Sequence, residues 1–576
     1  MAYLKLKKIK GKNYYYAVES QRINGKPRTV NQIYLGSVEQ LIAAKTQAET
    51  PTPPKEVAVF EFGLVAACFN VADKLNIVQL IDEIVPKRNQ GLSIGQYLLI
   101  AAISRAVEPI SKRACWDWYR QTCLPRLMGN GVSQQDLSSQ RFWDHMDLVP
   151  LEAIPQIEKA LSQRLLESFD LDLRFLIYDT TNYYTYIDSF NGRNHLAQRG
   201  KNKQKRNDLR QLNLALAVTR DFHIPFFHQL YEGNKVDVSS FSGVVEELVK
   251  RYELLAKYCE DITLIYDKGN NSKKNQETVD ASPYHFVGAL KLNALPALAA
   301  LETTSEHFKV LEDDRLPQVT AYRTKASVFG KERTVAVIFS QSFYEKQNLS
   351  LLREINKCQK RLHELTTKLQ QWLNDPSRAG ATPTRQSVES QIKTILKPQY
   401  MKQLFKIELV EQHGFVNLTH NFLSEQLTAI QKTRLGKTIL FTDQDEWSTA
   451  EIILGYRSQY RIEDAFKLSK RGHFMAWRPA FHWTDQKLHV HAFYCVLSLL
   501  FISLIHRQVW KNNIKIGLPT LEKELKSIKE VLTLQLPPSG KFDKARLYRT
   551  LTTMDERQKA ISEALKLSRS APEAES

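Results

Sequence analysis

The chain has 576 residues, 43% of them hydrophobic, and a formal net charge of +18 from 80 Lys and Arg against 62 Asp and Glu. That length suggests about three to five structural units rather than one core, and the cationic excess favours a polyanionic partner over an acidic or neutral one. Six scattered cysteines without a C-x-x-C pair argue against a zinc module and a disulfide frame.

Residues 1–45 read as a small basic β module and a candidate DNA-binding element, with Lys5, Lys7, Lys8, Lys10 and Lys12 on short strands and Asn24-Gly25 as a hairpin turn. Its opening stretch, MAYLKLKKIKGKNYYY, lacks the apolar run of a signal peptide, so a cytoplasmic location is expected. TQAETPTPPKEV (46–57) reads as a linker. Residues 58–168 read as a helical domain, a second DNA-binding candidate, with Ser93 capping LSIGQYLLIAAISRAV and Trp116, Trp118 and Trp143 packing it.

From 171 the period changes. LRFLIYD, LNLALAVTRD and PFFHQLYEG read as strands, FSGVVEELVKRYELLAKY as an amphipathic helix, and ITLIYD and HFVGALK as further strands, so 169–291 is α/β. Residues 292–435 are mixed, with strand-like YRTKASVFGKERTVAVIFS and a charged helix over 350–373. That helix carries an apolar stripe suited to packing within the same segment. KTILFTD and the helix STAEIILGYRSQYRIEDAFKLSK fall in 436–510. AFYCVLSLLFISLI (492–505) is too short to span a bilayer and reads as a buried helix. Residues 511–576 are expected to be helical, a candidate dimerisation region.

The letters LIYD occur twice, ending at Asp179 and Asp267. Ligands of open α/β sheets gather at the carboxyl ends of strands, so these two acids can converge. Like charges a few ångströms apart need a compensating cation, and Mg²⁺ prefers such oxygen ligands. Glu463 is the third candidate ligand for a two-ion site that clamps a phosphodiester. On one continuous helix Tyr456, Gln459, Glu463 and Lys470 fall within roughly 60° of arc.

An Asp ending one strand, an Asp ending a later one before x-G, and a Glu on a late helix form an ordered set that resembles the DDE transposases of bacterial insertion sequences. The likeness is to the branch with a long insertion before the Glu and a Tyr-x2-Arg-x3-Glu-x6-Lys signature, read here at Tyr456, Gln459, Glu463 and Lys470. Gln459 stands where that signature has Arg; Arg457 and Arg461 are candidates to compensate. RGKNKQKRNDLRQLNLALAVT, YEGNKVD and MAWRPAFHW resemble the same branch.

The resemblance implies an RNase H-like catalytic core interrupted by a β-rich insertion. It implies Asp179, Asp267 and Glu463 as catalytic residues and ligands of two Mg²⁺ ions, for which Mn²⁺ substitutes. The implied reaction is cleavage of double-stranded DNA at terminal inverted repeats and transfer of the freed strand into target DNA, by a homodimer. The same core also serves a structure-specific endonuclease that never joins strands, or a non-catalytic DNA-binding descendant. Tyr456, Gln459, Arg461 and Lys470, with Arg199, Lys201, Lys203, Lys205, Arg206 and Arg210 of the loop GRNHLAQRGKNKQKRNDLR, are the candidate DNA contacts; salt weakens such contacts by counterion competition.

Overall fold

The main sheet begins where the sequence changes period, at Phe175. The computed structural model describes the chain except residues 1, 24–25, 50–53, 88–89, 130, 189, 201–205, 236, 376–381, 413, 472–475, 479, 536–545 and 574–576. It divides into two compact units, one of Lys74–Ser111 with Phe142–Leu504, the other of Met1–Asp73, Lys112–Arg141 and Ile505–Ser576.

The larger unit is built on a ten-stranded sheet. Helix α1 (Ala153–Ser168) precedes it. Strands β1 (Phe175–Thr185), β2 (Arg210–Thr219) and β3 (Pro225–Glu232) form an antiparallel meander. Almost every residue of β2 is buried, as expected of a strand covered on both faces. Helix α2 (Asp237–Ala256) then crosses to β4 (Thr263–Tyr266), which lies parallel to β1. Helix α3 (Lys273–Asp280) leads to β5 (His285–Leu290), parallel to β4.

The hairpin β6 (Val319–Val328) and β7 (Lys331–Ser340) turns at Gly330, with φ 87°. It does not stay in a separate inserted domain, as its position in 292–435 led us to expect. It pairs through β8 (Lys437–Thr442) onto β5 and so extends the main sheet. What leaves the sheet is mostly helical. Helix α4 (Gln341–Asn374) buries Leu351, Ile355, Leu362, Leu365 and Leu369 against the helix Arg385–Ile395 and the hairpin Phe405–Gln412/Phe415–Phe422. The expectation of a β-rich insertion is corrected to a helical body with one hairpin: the β-branched run that suggested it belongs to the sheet.

After β8, Ser448 and Glu451 form a reciprocal capping box that starts α5 (Thr449–Arg457). The chain turns at Ser458–Gln459 and continues as α6 (Tyr460–Arg471), then α7 (Asp485–Lys511). Helix α7 has the length and hydropathy of a membrane span, but 94% of its apolar window is buried within the fold, which makes it a core helix. The expected cap at Ser93 is present: its hydroxyl accepts from the Gln96 amide at 3.2 Å.

In the smaller unit, strands Ala2–Ile9, Lys12–Ile23 and Lys26–Gly36 make the expected basic three-stranded sheet, and the Asn24-Gly25 turn lies outside the described residues. A second sheet joins Glu56–Glu61 to Lys529–Gln535 and Arg546–Leu551, so the C-terminal segment is not helical throughout. Glu530, with 1% of its side chain exposed, is held there by Arg126 at 2.5 Å and Arg549 at 2.9 Å. All six cysteines are free thiols.

Candidate catalytic site

The two LIYD copies lie side by side. Leu176 stands opposite Leu264 and Ile177 opposite Ile265 in the parallel β1–β4 ladder. Continued two residues past its last pair, the same register would bring Asp179 level with Asp267, the first residue after β4, at a strand spacing of about 4.8 Å. Side chains alternate across a sheet. Tyr178 and Tyr266 both pack on Phe241 of α2, with ring centroids 5.0 and 4.9 Å away. Asp179 and Asp267 therefore face the other side, and both are half-buried.

On that other side lie α5 and α6. The Tyr456 hydroxyl donates to Asp267 Oδ1 at 3.0 Å. Four residues along β1 from Asp179, Tyr183 meets the Ser469 hydroxyl of α6 at 2.7 Å, and Lys470 Nζ lies 5.7 Å from the Tyr183 ring centre. From Ser469 back to Glu463 the helix rises about 9 Å, and from Tyr183 back to Asp179 the strand runs about 13 Å. Both paths lead toward Tyr456. Its hydroxyl is held above the usual tyrosine range first by burial, then by the charge and hydrogen bond of Asp267, then by the charges of Glu463 and Asp179. All three carboxylates act on this one phenol.

One sequence expectation changes here. Tyr456, Gln459, Glu463 and Lys470 do not share one helix face, because the helix breaks between Arg457 and Tyr460. Ser458 Oγ donates back to the Gly455 carbonyl at 2.5 Å, and Gln459, 8% exposed, sits in the turn. Trp372 is buried, and Trp447 packs 5.2 Å from Phe175. Arg199 is exposed, Arg206 is paired with Asp208 at 2.8 Å, and Arg210 donates to the Asn191 carbonyl at 3.2 Å. Lys201, Lys203, Lys205 and the side chain of Arg461 lie outside the described residues.

The acids at the strand starts have other work. Asp172 accepts from Arg174 at 2.8 Å, and Asp261 is exposed, 4.0 Å from His285. His491 is fully buried and bonds the Trp477 carbonyl at 2.8 Å, and so belongs to the core.

The donor set of the site fits a hard divalent cation: two carboxylates that follow paired residues of adjacent strands, in need of positive charge. Glu463 lies at the exposed edge, 3.9 Å from Lys467 Nζ. Among the described residues no three His, Cys, Asp or Glu stand within joint metal-ligand reach, Asp179, Asp267 and Glu463 included. A groove of 1240 Å³ opens beside the pair, lined by Lys268, Lys291, Lys346, Arg434, Lys437 and Tyr456 among others. These cations are spread too far along the chain for any sequence motif to have signalled them.

No protein-family model matches the sequence, and no curated protein matches it. Among solved structures, the chain is similar to one described as the piggyBac transposase synaptic complex with hairpin DNA, at 8% identity, 82% coverage of each chain and a TM-score of 0.36. A likeness of that size carries no argument about function, which rests on the residues above.

Proposed function

We propose that this protein is a divalent-ion-dependent DNA transposase that cuts at element ends and joins the freed 3′-hydroxyl to target DNA. One observation carries the reading: Asp179 and Asp267 follow paired residues of adjacent parallel strands, and Tyr456, of the helix that leads into the Glu463 helix, donates to Asp267 at 3.0 Å. An antiparallel meander followed by two parallel strands with crossing helices supports an RNase H-like core. The net charge of +18 suits a polyanionic substrate.

Asp179 and Asp267 would hold Mg²⁺ or Mn²⁺, with Glu463 as the third carboxylate. The bound ions would neutralise charge on the phosphate and activate the attacking oxygen. The chain does the rest by positioning. The Tyr456 hydroxyl fixes the Asp267 carboxylate as a neutral hydrogen-bond donor. Lys470 and the arginines of the 193–210 loop meet the DNA backbone. A second protomer completes the synaptic complex.

The test uses full-length protein, Mg²⁺ and labelled duplex carrying any inverted repeats found to flank the gene. Nicks at the repeat termini and joined products are expected. Ends cut but never joined would reduce the reading to an endonuclease, and no cutting with either ion would overturn it.

Tyr456→Phe removes one hydrogen bond to a metal-holding carboxylate. Such supporting contacts are worth about 10- to 100-fold. We expect cleavage to fall by about that factor, partly restored by excess Mn²⁺, with end binding unchanged. Unaltered cleavage would mean that the Tyr456 contact does not position Asp267.

A further inference from the structure

The region where β1 leaves the sheet exposes large aromatic rings that the catalytic reading does not use. Tyr186 is 69% exposed, Phe190 95%, Phe481 65% and Trp483 69%. Single exposed apolar residues need no explanation, but several gathered on one surface do. The segments that carry them are joined here. Asn191 Nδ2 donates to the Trp483 carbonyl at 3.2 Å, and the Asp485 carboxylate accepts from the His195 and Leu196 amides at 3.0 Å. These bonds tie the segment after β1 to the segment before α7.

Guanidinium groups are interleaved with the rings. Tyr184 lies between Arg478, 4.3 Å from its ring centre, and Arg206, 5.5 Å away. Tyr186 meets Tyr184 edge-on at 5.9 Å. Arg193 and Arg199 are exposed on the same loop. Protein interfaces also combine aromatic rings with arginine, but a net charge of +18 favours a polyanionic partner. Rings mixed with arginines match a partner that offers flat π faces along a chain of negative charge, which is unpaired nucleic acid. Tyr184 lies roughly 17 Å along β1 from Asp179 and on the opposite face by alternation, so a DNA end reaches both by passing round the end of the strand.

We propose that Tyr186, Phe190, Phe481 and Trp483 form a stacking platform for unpaired bases of a DNA end. This rests on the transposase reading and assigns its active site a substrate with a frayed or extruded single strand.

The experiment measures binding without divalent ions, so that cleavage cannot contribute. Full-length protein is titrated into a fluorescent duplex end bearing a tail of about six unpaired nucleotides, and into the same duplex blunt-ended. A 2-aminopurine base in the tail reports stacking directly. Phe481→Ala and Trp483→Ala should each weaken tailed-DNA binding about tenfold and restore the 2-aminopurine emission, with blunt-duplex affinity changed less than about twofold. Trp483→Phe should keep most of the tail preference.

Equal losses on both DNAs, or no loss on either, would overturn the platform. So would a change in sedimentation without a change in tail preference, which marks a protein interface. A protein that cuts blunt ends but ignores tails keeps the transposase reading and loses this inference. One that prefers tails but never cuts loses the transposase reading alone.

Discussion

Asp179→Asn, Asp267→Asn and Glu463→Gln are each expected to lower divalent-ion-dependent end cleavage by about a thousandfold or more, roughly 4 kcal/mol at the barrier. The amides keep the shape of the acids but not the charge that holds a cation. Their effect on stability should go the other way. Asp179 and Asp267 follow paired residues of neighbouring strands, half-buried, and like charges so placed repel. Removing one charge should leave the thermal midpoint unchanged or raise it, while Glu463, exposed at the edge, should have no effect. End binding should stay within about threefold, because phosphate contacts dominate affinity. Cleavage assays, thermal scans and filter binding on the same preparations read all three. Full cleavage in any variant removes that residue from the site, and a lowered midpoint in the Asp variants would recast them as structural acids.

Opposite signs for activity and stability would also explain why the two LIYD runs stood out. Apolar letters foretell a buried strand from burial alone, and the period gives the face. A carboxylate closing such a strand breaks that local rule, and local conflicts mark functional positions. Pairing was not legible. Nothing in LIYD says that Leu176 will lie opposite Leu264, because a strand's neighbour is chosen by crossover helices and by which apolar faces remain uncovered. The same gap explains the β6–β7 hairpin: its turn at Gly330 was readable, its place in the main sheet was not.

The break in the signature helix was hidden for a different reason. Its two residues, Ser458 and Gln459, are neither Pro nor Gly, and Ser458 bonds back through its hydroxyl to the Gly455 carbonyl, a contact that bends helices and that propensity ignores. The C-terminal strand Lys529–Gln535 is short, and it is a strand because Glu56–Glu61, far away in sequence, supplies its partner. Groove and platform cations likewise come from separate segments, so only the folded chain brings them together.

The largest stability effect is expected at Glu158 in α1, which the sequence did not mark. Its carboxylate lies 2.5 Å from His228 Nδ1 of β3 and 3.0 Å from Arg251 Nη2 of α2, and the side chains are 8%, 3% and 4% exposed. Arg251 also donates to the Phe226 carbonyl at 2.6 Å. Glu158→Ala leaves a buried guanidinium without its carboxylate, a change that costs about 3–5 kcal/mol. A protein of two units need not unfold in one step, so the measure is the urea transition of the unit that holds α1. The double variant Glu158→Met, Arg251→Met removes both charges and should recover much of the loss. Burial pushes the Glu158 carboxyl up, but His228 and Arg251 outweigh it and hold the pKa below the ordinary Glu value. A depressed folded pKa stabilises the protein above the unfolded pKa, and that stability drains away as pH falls through the folded value. Wild type should therefore lose more stability on acidification than the double variant. Parallel pH profiles for the two proteins, or a Glu158→Ala cost under about 1 kcal/mol, would mean that this triad is solvated rather than buried.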